Sequence, residues 1–241
     1  MTLKVLVIIP AFNESAVIER TVREVLSSSS PDLPLDILVI DDGSSDDTAL
    51  RAQAAGARVA RLPFNLGIGG AVQTGYRYAF LYGYDIAVQV DGDGQHDALH
   101  LKEVIRPVAE KRADMSIGSR FLSGKEGFRS SVIRRSGIKF FAFLIRLLTG
   151  LTIKDTTSGF RACGRRLIGV FASYYPHDYP EPEAIVVARR LGCSVVEVPV
   201  VMRPRSSGVS SIAFLKPVYY MLKVSGAILL HTLKDRKVYE P

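Results

Sequence analysis

At 241 residues the chain fits one large domain with at most a short appendage, and 47% apolar against 23% charged residues excludes a disordered or low-complexity chain. A formal net charge of +7 points to an anionic partner: nucleic acid, a phosphorylated substrate or an acidic membrane surface. The two cysteines, Cys163 and Cys193, follow no metal-ligand spacing and no disulfide framework, so buried reduced thiols in a cytosolic protein are expected.

The chain opens on a strand pattern with no secretory signal, and short β-branched runs then alternate with helical periodicity. Strands are expected over 4–9, 36–40, 57–61, 86–90 and 114–118. Helices are expected between them over 15–26, 46–55, 70–81 and 99–111. Near-continuous apolar strands separated by helices predict an α/β domain, a Rossmann-like mainly parallel sheet flanked by helices on both faces. The second half is less regular. Helices are expected over 134–148, 184–191 and 216–233, and a strand over 194–202. The domain is expected to span 1–211, its nucleotide-binding half about 1–120 and its acceptor half about 121–211, with an amphipathic helical segment at 212–241.

Ligands of such sheets bind beyond the carboxyl ends of the strands, and the unusual residues collect there. Pro10-Ala-Phe-Asn-Glu14 follows the first strand, Asp41-Asp-Gly-Ser44 the second and Asp91-Gly-Asp93 the fourth. Turn and helix-cap chemistry explains each cluster alone, but not why all the acidic pairs share one edge. Alternate residues of an extended chain project the same way, so Asp91 and Asp93 are able to face one point as hard oxygen ligands, with Gly92 admitting a bulky ligand to the backbone. Asn65-Leu-Gly-Ile-Gly-Gly70 is a glycine-rich approach to a helix start, which suits a diphosphate.

These segments, with Gly118-Ser-Arg120, resemble the family 2 glycosyltransferases of the GT-A fold. Asp155-Thr-Thr-Ser-Gly-Phe-Arg161 and Arg205-Ser-Ser-Gly-Val-Ser210 are similar to the branch holding dolichyl-phosphate mannose synthase and the bacterial polyprenyl-phosphate glycosyltransferases. The resemblance implies that Pro10, Phe12, Glu14, Asp41, Asp42, Gly67 and Asp91 line the nucleotide. It implies Mg²⁺ or Mn²⁺ on Asp91, Asp93 and Gln95, with His96 left out because its softer nitrogen suits Mg²⁺ poorly. Arg120, Arg134, Arg135 and Arg205, with Ser210, match positions that hold the acceptor phosphate and the donor diphosphate, either Arg134 or Arg135 being an acceptor contact. Arginine forks match phosphate oxygens bidentately. Glu181 and Glu183 stand where related transferases place a base, although the double proline Pro180 and Pro182 departs from the pattern.

The resemblance thus implies a metal-dependent inverting transferase. It moves a sugar from a nucleotide-sugar donor to a polyprenyl phosphate, peripherally on the inner face of the cell membrane. A lipid-linked saccharide hydroxyl is the alternative acceptor, with Glu181 or Glu183 as base. A catalytically silent nucleotide-binding subunit is the alternative of another class, and the intact Asp91-x-Asp93 pair argues against it. Helices 134–148 and 216–233 carry basic stripes (Arg135, Lys139 and Arg146; Lys216, Lys223 and Lys234) beside apolar surface. Both are expected at the lipid interface, with Leu222, Ile228 and Leu229 partly inserted and a small membrane protein as a further partner. For 134–148, packing into the core competes with that reading. Nucleic acid is not expected, since the basic residues lie with apolar helices and no recognition motif appears.

Overall fold

Val5–Ala11 forms β1, and all seven of its residues are buried because helices cover the sheet on both sides. In the computed structural model, residues 3–122, 132–177, 180–203 and 223–230 are described, those of 132–134 without their side chains. After β1 come α1 (Ile18–Ser27), β2 (Leu35–Asp41), α2 (Thr48–Ala54), β3 (Arg58–Arg61), α3 (Gly67–Leu81) and β4 (Ile86–Gln89). A 3₁₀ turn at Ala98–His100 leads into α4 (Leu101–Ala109) and β5 (Met115–Ser119). Then follow α5 (Val132–Thr149), β6 (Arg161–Gly164), α6 (Arg165–Ser173), α7 (Pro180–Arg190) and β7 (Val195–Pro199), and residues 223–230 are helical.

The seven strands form one sheet in the order β3-β2-β1-β4-β6-β5-β7. β1 pairs in parallel with β2 and β4, β2 with β3, and β5 with β7, whereas β6 runs antiparallel between β4 and β5. One face buries Leu6, Ile8, Tyr76, Phe141, Ile145 and Phe171, and the other Val7, Ile9, Val22, Val39, Leu101 and Val104. The sheet and its helices are the expected α/β architecture, that of the GT-A fold.

Several boundaries differ from expectation for local reasons. α1 starts at Ile18 rather than 15 because 14–17 is a tight turn, with the Val17 and Ile18 N–H groups both on Glu14 O. α3 starts at Gly67, three residues early. α7 starts at Pro180, where a proline is tolerated because the first N–H of a helix needs no intrahelical partner. β6 and α6 were not anticipated at all. A four-residue strand opening on arginine carries too little periodicity to be read.

α5 divides its apolar surface. Ile138, Phe141 and Ile145 are buried in the core, while Phe140, Phe143 and Leu147 are exposed together with Lys139 and Arg146. The core-packing reading of 134–148 therefore holds for one face, and the other face is exposed. In the C-terminal segment Val224 and Ile228 are buried in the core and Leu229 and Leu230 are exposed. Ile228 is thus a correction: it packs against the protein rather than facing lipid. Leu222, Lys216 and Lys234 lie outside the described residues. No described helix is long and apolar enough to cross a membrane.

Candidate active site

The carboxyl ends of β1, β2 and β4 bring the three polar clusters to one edge and knit them together. Asp42 N–H donates to Ala11 O (2.9 Å), Asn13 N–H to Ser44 Oγ (2.9 Å) and Glu14 N–H to Thr48 Oγ1 (2.8 Å). Gly92 N–H reaches Pro10 O at 3.2 Å. A Cβ on Gly92 would sit 2.8 Å from that oxygen. The glycine is therefore required by the protein's own backbone. Phe12 projects exposed at this edge, and Pro10 is buried in β1.

Asp41 and Asp42 are both buried and face different duties. Asp41 Oδ1 accepts Ser44 N–H at 3.1 Å. Asp42 accepts the Leu66 and Gly67 N–H groups at 2.7 and 2.9 Å. Burial pushes the Asp42 carboxyl above its usual range, and those two amides pull it back. Gly69 N–H in turn donates to His177 O at 3.1 Å. The start of α3 therefore spends these amides on protein acceptors. Gly67 itself adopts φ +78°, the conformation that frees its N–H for Asp42.

Asp91 follows β4 and is partly exposed. Gln89 Nε2 donates to its Oδ1 at 3.1 Å. His96 Nδ1 accepts the Asp91 N–H at 3.0 Å, which leaves the hydrogen on Nε2, 3.5 Å from Asp91 Oδ2. The imidazole is buried and stacked on Phe160 with ring centroids 4.9 Å apart. His96 thus supports Asp91 from behind. Asp93 Oδ1 accepts Gln95 N–H at 3.0 Å, and Gln95 Nε2 reaches Arg203 O at 3.4 Å.

Among the described residues no cluster of three or more His, Cys, Asp or Glu side chains gathers around one point. Two carboxylates and an amide fit a hard ion that completes its shell with substrate oxygens, as Mg²⁺ and Mn²⁺ do in phosphate sites. The backbone accommodates such a pair: Gly159 passes so near that a Cβ there would lie 2.8 Å from Asp91 Oδ1.

The residues expected to meet an acceptor stand near β5, β6 and α7. Arg120, just past β5, does not stand free for a phosphate. Its Nε donates to Asp155 Oδ2 at 2.7 Å, and its Nη2 to Asp155 Oδ1 at 2.6 Å and to Thr157 Oγ1 at 3.0 Å. Asp155 is fully buried, and Glu197 fixes its backbone N–H at 2.8 Å. Only the Nη1 edge of Arg120 donates to none of the described residues. Arg161, fully buried at the start of β6, binds Ser158 O through Nε (3.2 Å) and Nη2 (2.5 Å) and Glu181 O through Nη1 (3.1 Å). It ties the segment before β6 to the first turn of α7. Burial raises the Glu181 carboxyl above its usual range, with Arg161 opposing the shift. Glu183 is half-buried two positions further along the same turn, and Arg135 is half-buried on α5. The side chain of Arg134, and Arg205, Gly208 and Ser210, lie outside the described residues.

Sequence reasoning assigned no role to Asp155, Arg161, Gln89 or His96. The available signal was a charged or amide residue inside an otherwise apolar strand, Gln89 in β4 and Arg161 in β6. The buried Gln89 Oε1, Ser119 Oγ, Thr156 Oγ1 and Ser158 Oγ have no hydrogen-bond partner among the described residues, so polar capacity is left over here.

Comparison with known proteins agrees with this arrangement. Residues 6–170 match the family described as glycosyl transferase family 2. An undecaprenyl-phosphate mannosyltransferase of Micrococcus luteus is 30% identical over 219 residues, covering 88% of each chain. A UDP-N-acetylglucosamine–dolichyl-phosphate N-acetylglucosaminyltransferase of Methanococcus voltae is 28% identical over 212 residues, 80% of this chain and 83% of the relative. Glucosyl-3-phosphoglycerate synthase from Mycobacterium tuberculosis, crystallised with Mn²⁺, UDP and glucosyl-3-phosphoglycerate, superposes with TM-score 0.72. That match is 23% identical and covers 95% of this chain and 80% of the other, a likeness of fold. On its sequence match and its sheet-edge architecture, the chain belongs to glycosyl transferase family 2.

Proposed function

We propose that the protein transfers one sugar, with inversion, from a nucleoside diphosphate sugar to a polyprenyl phosphate at a membrane surface. The observation that carries the reading is the convergence on one sheet edge of the Asp41–Ser44 loop, the Asp91–Gln95 loop and Arg120. The exposed Phe140, Phe143 and Leu147, beside Lys139 and Arg146 on α5, suit a lipid-borne acceptor. The relatives from Micrococcus luteus and Methanococcus voltae are named for polyprenyl-phosphate acceptors, which supports the same choice.

The chemistry follows from charge. Phe12 offers a face to the base, and Glu14 a carboxylate to a ribose hydroxyl. Asp91 and Asp93, with Gln95, would hold Mg²⁺ or Mn²⁺, which offsets the charge on a departing diphosphate by several kcal/mol. An oxygen of the acceptor phosphate attacks the anomeric carbon as the bond to the diphosphate oxygen breaks, and the nucleoside diphosphate leaves. That nucleophile is already ionised and needs no base. Arg120 Nη1, with its guanidinium steadied by Asp155, is placed to steer it, and Arg134, Arg135, Arg205 and Ser210 are proposed to complete the phosphate contacts.

A second reading is favoured by one observation. The burial-raised carboxyl of Glu181 is the kind of group that takes a proton from a sugar hydroxyl, which would make a lipid-linked saccharide the acceptor. One experiment separates the two. The protein is incubated with a panel of nucleotide sugars and either a short polyprenyl phosphate or its lipid-linked saccharide, and products are read by mass spectrometry. A lipid-phosphate-sugar product supports the proposal; a product only from the saccharide refutes it in favour of the second reading.

A further inference from the structure

The loop after β4 meets the chain just past β7. His96 and Met202 form an isolated antiparallel bridge, and Arg203 N–H donates to Gln95 O at 2.9 Å. In return Gln95 Nε2 donates to Arg203 O at 3.4 Å. The Arg203 guanidinium is pinned between two carboxylates. Its Nη1 donates to Glu24 Oε2 of α1 at 2.6 Å, and its Nη2 to Asp97 Oδ1 at 2.9 Å. Asp97 Oδ1 also accepts the Leu99 N–H at 3.1 Å, so the clamp is fastened to the 3₁₀ turn as well as to α1. Both bonds are charge-assisted and partly shielded from water, the Asp97 side chain being only 17% exposed. One arginine thus ties α1, the loop after β4 and the chain past β7 together.

We infer that Arg203 is a positioning residue for the divalent ion, because its carbonyl decides which end of the Gln95 amide is left to meet that ion. The inference rests on the proposed reading of Asp91, Asp93 and Gln95 as metal ligands and adds the group that makes Gln95 fit for the task. A side-chain amide has two unlike ends. Its NH₂ only donates, and its oxygen only accepts. A hard cation takes the oxygen and is repelled by the N–H groups. A backbone carbonyl is an acceptor alone, so the end that faces Arg203 O has to be Nε2. Oε1, which accepts no hydrogen bond from a described residue, is then the end left for the ion. At 3.4 Å the bond to Arg203 O is weak by itself. It holds the amide only while the carbonyl stays in place, and the two ion pairs of the guanidinium supply that restraint.

The test is titration of the full chain with Mn²⁺, followed by water-proton relaxation, with the metal alone and with UDP or GDP present. Outer partners of metal ligands are typically worth ten- to a hundredfold in affinity, and the partial exposure of this clamp places Arg203→Met at about tenfold weaker Mn²⁺ binding. Glu24→Gln loosens the same clamp from α1 without touching the chain past β7. It is expected to weaken Mn²⁺ binding in the same direction but less, and it decides the matter if circular dichroism shows Arg203→Met unfolded. Gln95→Ala separates positioning from general support. It should weaken Mn²⁺ binding by itself, and adding Arg203→Met to it should cost less than about twofold more, because the amide through which Arg203 acts is already gone. Unchanged Mn²⁺ affinity in folded Arg203→Met and Glu24→Gln overturns the inference and leaves the metal reading intact. An equal loss from Arg203→Met with and without Gln95 overturns it too, since a merely structural residue behaves that way. If the unaltered chain takes up no Mn²⁺ under any of these conditions, the metal reading falls and the inference with it.

Discussion

Replacing Asp155 with asparagine removes one charge from a buried pair while keeping the shape of the side chain. In the native protein this carboxylate receives three hydrogen bonds from Arg120: the backbone N–H at 3.1 Å, Nε at 2.7 Å and Nη2 at 2.6 Å. Asp155 is fully buried and the Arg120 side chain only 14% exposed, so little solvent screens the pair. Breaking a buried pair by removing one partner costs about 3–5 kcal/mol, and the slight exposure of Arg120 places this one near the lower end. A loss of about 3 kcal/mol corresponds to a fall in Tm of roughly 6–12 °C for a domain of this size. Thermal and urea unfolding of Asp155→Asn, Arg120→Met and the double variant closes a cycle whose coupling is expected at about 2–3 kcal/mol. Asp155→Asn also frees the arginine fork to swing, so KM for a polyprenyl phosphate acceptor should rise while donor affinity stays near its original value. A Tm change under about 2 °C with coupling near zero would show that the pair is not the clamp its geometry indicates.

Asp91→Ala and Asp93→Ala should each abolish transfer and weaken Mn²⁺-dependent nucleotide binding while leaving Tm within a few degrees, since Asp91 is partly exposed; near-normal turnover of either in EDTA would sink the metal assignment. The full chain should pellet with anionic liposomes and do so less at high salt, because screening weakens the Lys139 and Arg146 contribution. Phe143→Ser with Leu147→Ser should reduce pelleting further, each side chain being worth up to about 1.5–3 kcal/mol when buried, and unchanged pelleting would remove α5 from the docking surface. Burial pushes the Cys163 thiol up to about 11 and raises that of Cys193, so both should resist alkylation at pH 8 in the native state and react in denaturant. Asp46, despite the opposing effect of its burial, is held at about 2 by bonds from Thr48 and Ser15, against 3.8 unfolded. Its contribution is complete above pH 3.8 and lost as pH falls toward 2, so Asp46→Asn should flatten the acid-unfolding curve in that window.

Much of the donor side was legible in the sequence because its cause is local. Strands buried on both faces must be apolar throughout, so β1, β2 and β4 declare themselves, and the residues that follow them must lie at their carboxyl ends. Asp41, Asp42, Asp91 and Asp93 were thereby assigned to one edge without any coordinates. Tertiary structure decided what those residues do there. Asp42 turned out to anchor the start of α3, because two amides of a helix terminus lay within its reach, a pairing across 24 and 25 positions that no local pattern encodes. β6 slots antiparallel between β4 and β5, and long-range strand order leaves no mark on a four-residue run. That insertion sets Arg161 beside the first turn of α7 and Asp155 against Arg120, 35 residues away in the chain. A side chain's type and position follow from the sequence, but its charge is free to act only if no other part of the fold has already neutralised it. For Arg120 the fold placed Asp155 there, and its carboxylate offsets much of the cost of taking that guanidinium out of water.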